Sequence, residues 1–148
     1  MRAVCTKLDA VCIGTHENSI TIPFTLYTNS STAAEQALLD SGATESFFDY
    51  RMARRLGLNR QALERPRPVL NVDGTPSGKG VLTHFCDLLV RKDGREAHHR
   101  FYITDLGGDR AIFGFPWLCE WNPDINWKEG LVRGGPVTLK MHSTPEWA

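Results

Sequence analysis

The residues with the clearest chemical potential lie together at positions 37–44, which read Ala-Leu-Leu-Asp-Ser-Gly-Ala-Thr. Two leucines, typical of the end of a buried strand, lead directly into the carboxylate of Asp40. Acids held at such positions, where the dielectric is low and neighbours are fixed, are candidate catalysts. Gly42 permits a sharp turn and a close backbone approach. The hydroxyl of Ser41 and nearby N–H groups can orient a carboxylate. The octet therefore predicts a catalytic acid supported by a loop of small residues, namely Ser41, Gly42, Ala43 and Thr44.

Two simpler explanations of Asp-Ser-Gly remain open at this point. The tripeptide could form a strand-to-turn junction in which the aspartate caps its own turn. It could also be an exposed, phosphorylatable recognition signal. The apolar pairs Leu38-Leu39 and Phe47-Phe48 stand on either side of the motif and argue against exposure.

Composition excludes several classes of function. The 148 residues fit one domain. Lys+Arg and Asp+Glu both number 17, so the net charge is zero and offers no general attraction to nucleic acid or to an anionic membrane. No apolar run is long enough to span a bilayer, and the first residues lack a stretch of signal-peptide type. We therefore expect neither nucleic acid nor membrane as a partner, and a cytoplasmic location.

Cysteine and histidine give no sign of a metal site. The cysteines are widely spread and no pair has CxxC spacing, which argues against a zinc ribbon or zinc knuckle. The pair His98-His99 suggests a metal, but no third ligand stands at a suitable spacing. We expect a solvated pair beside a turn, and no metal or cofactor. The four cysteines are Cys5, Cys12, Cys86 and Cys119.

Alternation of polar and apolar residues predicts a half-buried strand over residues 19–27. Pro23 indicates an edge position or a bulge within it. Residues 10–14 are predicted to form the partner strand, and residues 29–35 a polar connection. The side chains expected on the buried face of the strand are Ile20, Ile22, Phe24 and Leu26.

Turn and cap signals predict the other elements. They are a short strand at 37–40, a helix from a cap at Ser46 or Asp49 to Gly57, a mobile hairpin at 69–81, strands at 81–90 and 96–104 joined by a turn at 92–94, a buried strand at 111–114, a helix from Pro116 stopped at 122–124, and a closing hairpin of 125–127 with 131–132. Many short strands with two short helices predict a mainly β fold, closed or barrel-like.

The order of these features resembles the retropepsins, the proteases of retroviruses and retrotransposons. The closest resemblance is to the protease segment of Ty3/gypsy-type retrotransposon polyproteins. It is carried by residues 37–48, 69–75, 101–106 and 114–127, and it spans roughly residues 18–130. The resemblance implies a closed retropepsin-like (acid protease) β-barrel with one lobe per chain. Residues 1–17 would be an N-terminal extension with a first strand, and 131–148 a C-terminal strand and loose tail.

The resemblance also implies roles for particular residues. Asp40 would be the catalytic carboxylate, Ser41 would bond across to the partner subunit, and Gly42 would let substrate and the partner loop approach. A flap would close over substrate, and an apolar element would pack behind the active-site loop. The flap residues would be Asn71, Val72, Asp73, Gly74, Thr75 and Gly78, and the packing residues Ile112, Phe113 and Gly114.

Aspartic protease chemistry needs two carboxylates, and this chain has one Asp-Ser-Gly. Asp73-Gly74-Thr75 is superficially similar, but Asn71 and Pro76 flank it in a flap-like context, so we interpret it as a turn. The second carboxylate must then come from a second chain across a two-fold axis. The sequence thus predicts a homodimeric aspartic endopeptidase that cleaves extended peptide segments, as in polyprotein processing, in the cytoplasm or in virus-like particles.

Two other hypotheses stay open. One is a catalytically inactive retropepsin-like domain that serves as a dimerisation or interaction module. The other is an unrelated β-barrel binding module in which Asp-Ser-Gly is only a turn. Peptide hydrolysis that depends on Asp40 distinguishes both from the protease.

Overall fold

A computed structural model describes residues 10–12, 20–71 and 73–133. Within these ranges the chain forms ten strands and two short helices. The strands are β1 (Val11–Cys12), β2 (Ile20–Tyr27), β3 (Thr32–Leu39), β4 (Ser46–Asp49), β5 (Gln61–Leu70), β6 (Pro76–Lys92), β7 (Arg95–Thr104), β8 (Ala111–Phe113), β9 (Asp124–Asn126) and β10 (Leu131–Arg133), and the helices are α1 (Tyr50–Arg55) and α2 (Phe115–Trp121).

Six of these strands close into a barrel. Their order is β6, β2, β3, β8, β4 and β7, and β7 pairs again with β6. β5 adds to the outside of this ring along β6, and β1 adds to β5. Closure gives each of the six strands a paired neighbour on both sides, and their inward side chains form the core. The predicted mainly β, closed fold with two short helices is confirmed.

The alternation predicted for β2 is confirmed by burial. Its apolar side chains are at most 8% exposed, whereas Thr21 and Pro23 face outward. Pro23 lies opposite Gln36 of β3, beyond the two residues of β2 that pair with β6. That half of β2 is therefore a local edge, which tolerates a proline because no N–H is needed there. The buried set is Ile20, Ile22, Phe24 and Leu26.

The partner predicted for β2 is wrong. Val11 and Cys12 do not pair with β2; they pair in parallel with Val69 and Leu70 at the end of β5. β2 pairs instead with β3 over its full length and with β6 at one end. Residues 13–19, including the rest of the predicted strand and its turn, lie outside the described residues.

The polar connection predicted for residues 29–35 is also too long. The turn is closed by a bond from the Thr28 N–H to the Ser31 carbonyl oxygen, at 2.7 Å. β3 begins at Thr32, which lies opposite Tyr27. Its first half reads Thr-Ala-Ala-Glu, with no large apolar side chain, and the fully buried positions are near its end, so the sequence there looks like a loop.

The sequence correctly predicts the start of α1 and the end of α2. The Asp49 side chain caps α1 by accepting the Arg51 N–H at 2.8 Å, and Asn122 ends α2 in a left-handed conformation with φ 45°. Along α2, Trp117 stacks on Phe113 with ring centroids 4.2 Å apart, and Trp121 stacks on Trp117 at 5.5 Å. This column of rings fixes α2 against the end of β8.

The closing hairpin is present as β9 and β10, with Leu131 opposite Asn126. Ile125 and Val132 pack against the barrel core, while Trp127 and Leu131 are exposed. None of the helices in the described ranges has the length and apolar character to cross a membrane.

Candidate active site

Asp40 directly follows β3, and its backbone is fixed on both sides of the loop. The Asp40 N–H donates to the Phe113 carbonyl oxygen at 2.9 Å, and the Ala43 N–H donates to the Asp40 carbonyl oxygen at 3.1 Å. The Gly42 N–H donates to Oδ1 of the Asp40 carboxylate at 3.0 Å. With 6% of its surface exposed, Asp40 is a buried acid whose orientation is set by its own turn.

The remaining loop residues join Asp40 to the rest of the barrel. Ala43 is fully buried, while Ser41 and Gly42 are half-buried. Thr44 Oγ1 accepts the Cys12 N–H at 2.8 Å, and the Thr44 N–H donates to the Cys12 carbonyl oxygen at 3.0 Å. This pair of bonds attaches the loop to β1.

β1 also connects the loop to the predicted flap. Cys12 lies beside Leu70 in the parallel pairing of β1 with β5, and the hairpin turn starts at the next residue, Asn71. The Asn71 N–H donates to the Thr75 carbonyl oxygen at 2.8 Å, and the Gly74 N–H to the Asn71 carbonyl oxygen at 2.9 Å. The base of the hairpin is therefore held one strand away from the Asp40 loop.

Asp73 takes part in its own turn. Its Oδ1 accepts the Thr75 N–H at 2.9 Å and the Thr75 hydroxyl at 2.7 Å, and these bonds lower the pKa of Asp73. Asp73 is exposed, which agrees with its interpretation as a turn residue and not as a second catalytic acid. Val72 lies outside the described residues, and Gly78 lies in β6.

The predicted packing element lies directly behind the loop. Ile112 and Phe113 are fully buried, and they pair with Leu38 and Leu39 of β3. Beyond them, a Cβ atom on Gly114 would stand 2.0 Å from the Glu45 carbonyl oxygen and 2.9 Å from that of Ala43, so only glycine fits.

Some residues beside the loop were not predicted. The Glu45 carboxylate lies 3.4 Å from the Arg67 guanidinium, and Arg67 also donates to the Tyr102 hydroxyl at 2.7 Å. Burial raises the pKa of Glu45, against the opposing charge of Arg67. The sequence gives no signal for the contact of Glu45 with Arg67, because Arg67 lies in β5 and only the pairing of strands brings β5 close to the loop.

His99 corrects the expectation of a solvated histidine pair. His98 is exposed, but His99 is 9% exposed and its Nε2 lies 2.8 Å from the Ser46 Oγ. Burial lowers the pKa of His99 to about 4, and the charge of Asp87 only partly opposes this. Strand alternation was the available signal, since neighbours in a strand face opposite sides and His99 shares a face with Phe101.

The described ranges offer no ready metal centre. There, His, Cys, Asp and Glu side chains form no group of three or more suited to a metal ion. The chemistry that the loop can do is that of a buried, oriented carboxylate beside a hairpin.

Two solved structures resemble the fold. The retroviral protease-like domain of Ddi1 from Leishmania major is 20% identical, with a TM-score of 0.48, and the match covers 78% of this chain and 86% of that one. The EIAV protease in complex with the inhibitor HBY-793 is 23% identical, with a TM-score of 0.47, covering 70% of this chain and 88% of that one.

A sequence profile of the PEG10/RTL1 protease domain matches residues 36–141. The match includes the Asp40 loop, the hairpin and the Gly114 element, and it extends over most of the chain. It confirms the resemblance to a retropepsin-like aspartic protease domain of Ty3/gypsy type. This chain belongs to the PEG10/RTL1 protease-domain family.

Proposed function

We propose that this chain is an aspartic endopeptidase that acts as a homodimer, with Asp40 as the catalytic residue of each protomer. The observation that carries the proposal is the geometry of Asp40: a buried carboxylate, held through its N–H by Phe113 and through Oδ1 by the Gly42 N–H. Such a group is fixed before any substrate arrives, as general acid and base catalysis requires.

The second carboxylate is supplied by the partner's Asp40. The other aspartate in a similar tripeptide, Asp73, is bonded to its own turn, so one chain offers one catalytic acid. Two carboxylates brought close together share a proton, which is the established behaviour of aspartic proteases as a class. The charged member takes a proton from water, and the protonated member donates to the scissile carbonyl and then to the leaving nitrogen.

The substrate we propose is an extended peptide segment, such as a junction within a polyprotein. The hairpin of β5 and β6 begins next to the β1 link to the active-site loop. A hairpin there can close over a peptide and form main-chain hydrogen bonds with it. Closure excludes water from the carboxylate pair. We place this activity in the cytoplasm or in particles assembled there.

Cleavage of a mixed peptide library by the purified wild type tests this function. The comparison proteins are Asp40→Asn and Asp93→Asn, and Asp93 is a matched control because it lies in the exposed turn between β6 and β7. Assays at about pH 5 and about pH 7 bracket the range in which a shared carboxylate pair titrates. We expect wild type and Asp93→Asn to cleave peptides, faster at the lower pH, and a statine-type mimic to inhibit both. We expect no cleavage by Asp40→Asn.

The opposite result is equally clear. No cleavage by wild type at a protein concentration where a dimer is detected by sedimentation indicates an inactive dimerisation module. Cleavage that survives Asp40→Asn excludes Asp40 as the catalytic acid.

A further inference from the structure

A buried serine and a buried histidine are connected to the Asp40 loop, and the proposed chemistry does not use them. Ser46 opens β4 and is 1% exposed, and His99 in β7 is 9% exposed. The Gly114 N–H donates to the Ser46 Oγ at 3.0 Å, and the same Oγ lies 2.8 Å from His99 Nε2. We call this chain of hydrogen bonds, His99 to Ser46 to Gly114, the Ser–His link.

The direction of each bond follows from the groups involved. A backbone N–H can only donate, so the Ser46 Oγ accepts from Gly114 and keeps its own proton available to donate. His99 is neutral at neutral pH because burial lowers its pKa to about 4. The Glu120 carboxylate, 3.8 Å from Nδ1, favours a proton on Nδ1, which leaves Nε2 to accept from the Ser46 hydroxyl. This tautomer is assigned from the hydrogen-bond network.

Gly114 is the point at which the Ser–His link meets the active-site loop. The residue before it, Phe113, accepts the Asp40 N–H at 2.9 Å, and the residue after it, Phe115, donates to the Ala43 carbonyl oxygen at 2.9 Å. A displacement of Gly114 therefore shifts both anchors of the loop together. A Cβ atom on Gly114 would stand 2.0 Å from the Glu45 carbonyl oxygen and 2.9 Å from that of Ala43, so the Gly114 backbone lies directly against the loop.

His99 also supports the same segment by packing. Its ring lies edge-on to Phe113, with centroids 6.0 Å apart, and edge-on to Phe101 at 5.1 Å. The imidazole thus touches the residue that accepts the Asp40 N–H and bonds to the serine that holds the next residue. One side chain restrains two adjoining points behind the catalytic carboxylate.

We propose that Ser46 and His99 are positioning residues for Asp40, and that the Ser–His link fixes the orientation in which the two carboxylates of the dimer meet. This role rests on the proposed protease function. Small errors in the placement of a catalytic group reduce turnover far more than they reduce substrate binding. Loss of the link should therefore lower kcat and leave KM nearly unchanged.

Paired substitutions in the 148-residue chain test the role. Ser46→Ala removes the hydroxyl and Ser46→Thr retains it; His99→Leu removes the ring nitrogen and His99→Gln places an amide oxygen near the same point. His98→Leu is the matched control, because His98 is exposed on the other face of β7. With the best library peptide, we expect Ser46→Ala and His99→Leu to lower kcat by about tenfold or more, with KM within about threefold. Ser46→Thr and His99→Gln should recover most of the loss.

Equal kcat values in the paired variants, or a loss confined to KM, would overturn the positioning role. A thermal melt of each variant identifies those that fail to fold. If they fail, the tautomer of His99 in the wild-type chain, measured by nuclear magnetic resonance, decides instead. Cleavage by wild type is the reference, so its absence counts against the protease function itself.

Nuclear magnetic resonance of the ¹⁵N-labelled chain tests the Ser–His link without any catalysis. Near neutral pH, we expect His99 to carry its proton on Nδ1, and we expect the Gly114 and Asp40 amide signals to shift in His99→Leu relative to wild type, but not in His98→Leu. A proton on Nε2, or an Asp40 amide that is unmoved, would overturn the proposal even if the enzyme cleaves peptides. If wild type cleaves nothing, these signals still decide whether the link positions Asp40.

Discussion

Lowering the pH from about 7 to about 4 is expected to destabilise the fold through one side chain, His99. Burial lowers its pKa from 6.5 to about 4 in the folded chain. Between these two pKa values, His99 is therefore mostly protonated in the unfolded chain and mostly neutral in the folded chain. The contribution of His99 to the free energy of unfolding is complete above its pKa in the unfolded chain. It is lost progressively as the pH falls towards its pKa in the folded chain.

The size of the loss follows from the gap between the two pKa values. Each pH unit of difference corresponds to about 1.4 kcal/mol, so the gap corresponds to about 3 kcal/mol. His99 is 9% exposed, so solvent screens this effect little. About 2 kcal/mol should already be lost near pH 5, because the unfolded histidine is almost fully protonated there.

The assay is urea unfolding of wild type, His99→Gln and His98→Gln at several pH values, each at the same chain concentration because dimerisation also contributes to stability. Other groups titrate alike in all three proteins. Between about pH 7 and about pH 4, wild type and His98→Gln should lose about 3 kcal/mol more than His99→Gln. Parallel losses in wild type and His99→Gln would refute the reasoning, since the buried imidazole would then not be the titrating group.

Three further substitutions or reagents probe the same structure. Gly114→Ala places a Cβ 2.0 Å from the Glu45 carbonyl oxygen, so we expect a loss of more than about 4 kcal/mol and a largely unfolded circular dichroism spectrum; a native melting temperature contradicts this. Asp49→Ala removes a fully buried carboxylate that caps α1 and accepts a second N–H from the turn that follows β7. We expect it to lower the free energy of unfolding in urea by about 3 kcal/mol. A loss below about 1 kcal/mol argues against those bonds. Iodoacetamide should modify exposed Cys119 in the native chain before buried Cys86, whose pKa burial raises to about 11; equal modification by peptide mapping contradicts the burial.

Local signals predict most of the elements. The buried face of β2, the stop of α2 at Asn122 and the closing hairpin of β9 and β10 all depend on residues close together in the chain. Alternation, capping and turn chemistry act over such distances, so one sequence suffices to read them.

The pairing of strands is where sequence reasoning fails. Proximity in the chain assigns Val11 and Cys12 to the nearest strand, yet β2 pairs with β3 and β6, and Val11 and Cys12 pair with the end of β5. The start of β3 at Thr32 escapes prediction because its first four residues include no large apolar side chain. Which edge is free depends on the whole sheet, and local patterns do not carry that information.

In the candidate site, too, local motifs are predicted from the sequence and contacts between distant residues are not. The Asp40 loop and Gly114 are predicted from a motif and a family resemblance, and the structure places them in contact. The bond of Ser46 to His99 joins residues 53 apart, and that of Cys12 to Thr44 joins residues 32 apart. Such bonds exist only after the barrel has closed, so the partners of these residues could not be found in advance.

Mixing wild type with inactive Asp40→Asn tests most directly the claim that one active site uses Asp40 from two chains. The total chain concentration is held constant and the mixture is left until subunits exchange. If each site needs both carboxylates, an equal mixture keeps about one quarter of the wild-type activity, because about one dimer in four contains two intact chains. An activity of about one half, proportional to the wild-type fraction, would show that each chain cuts alone and would contradict the account.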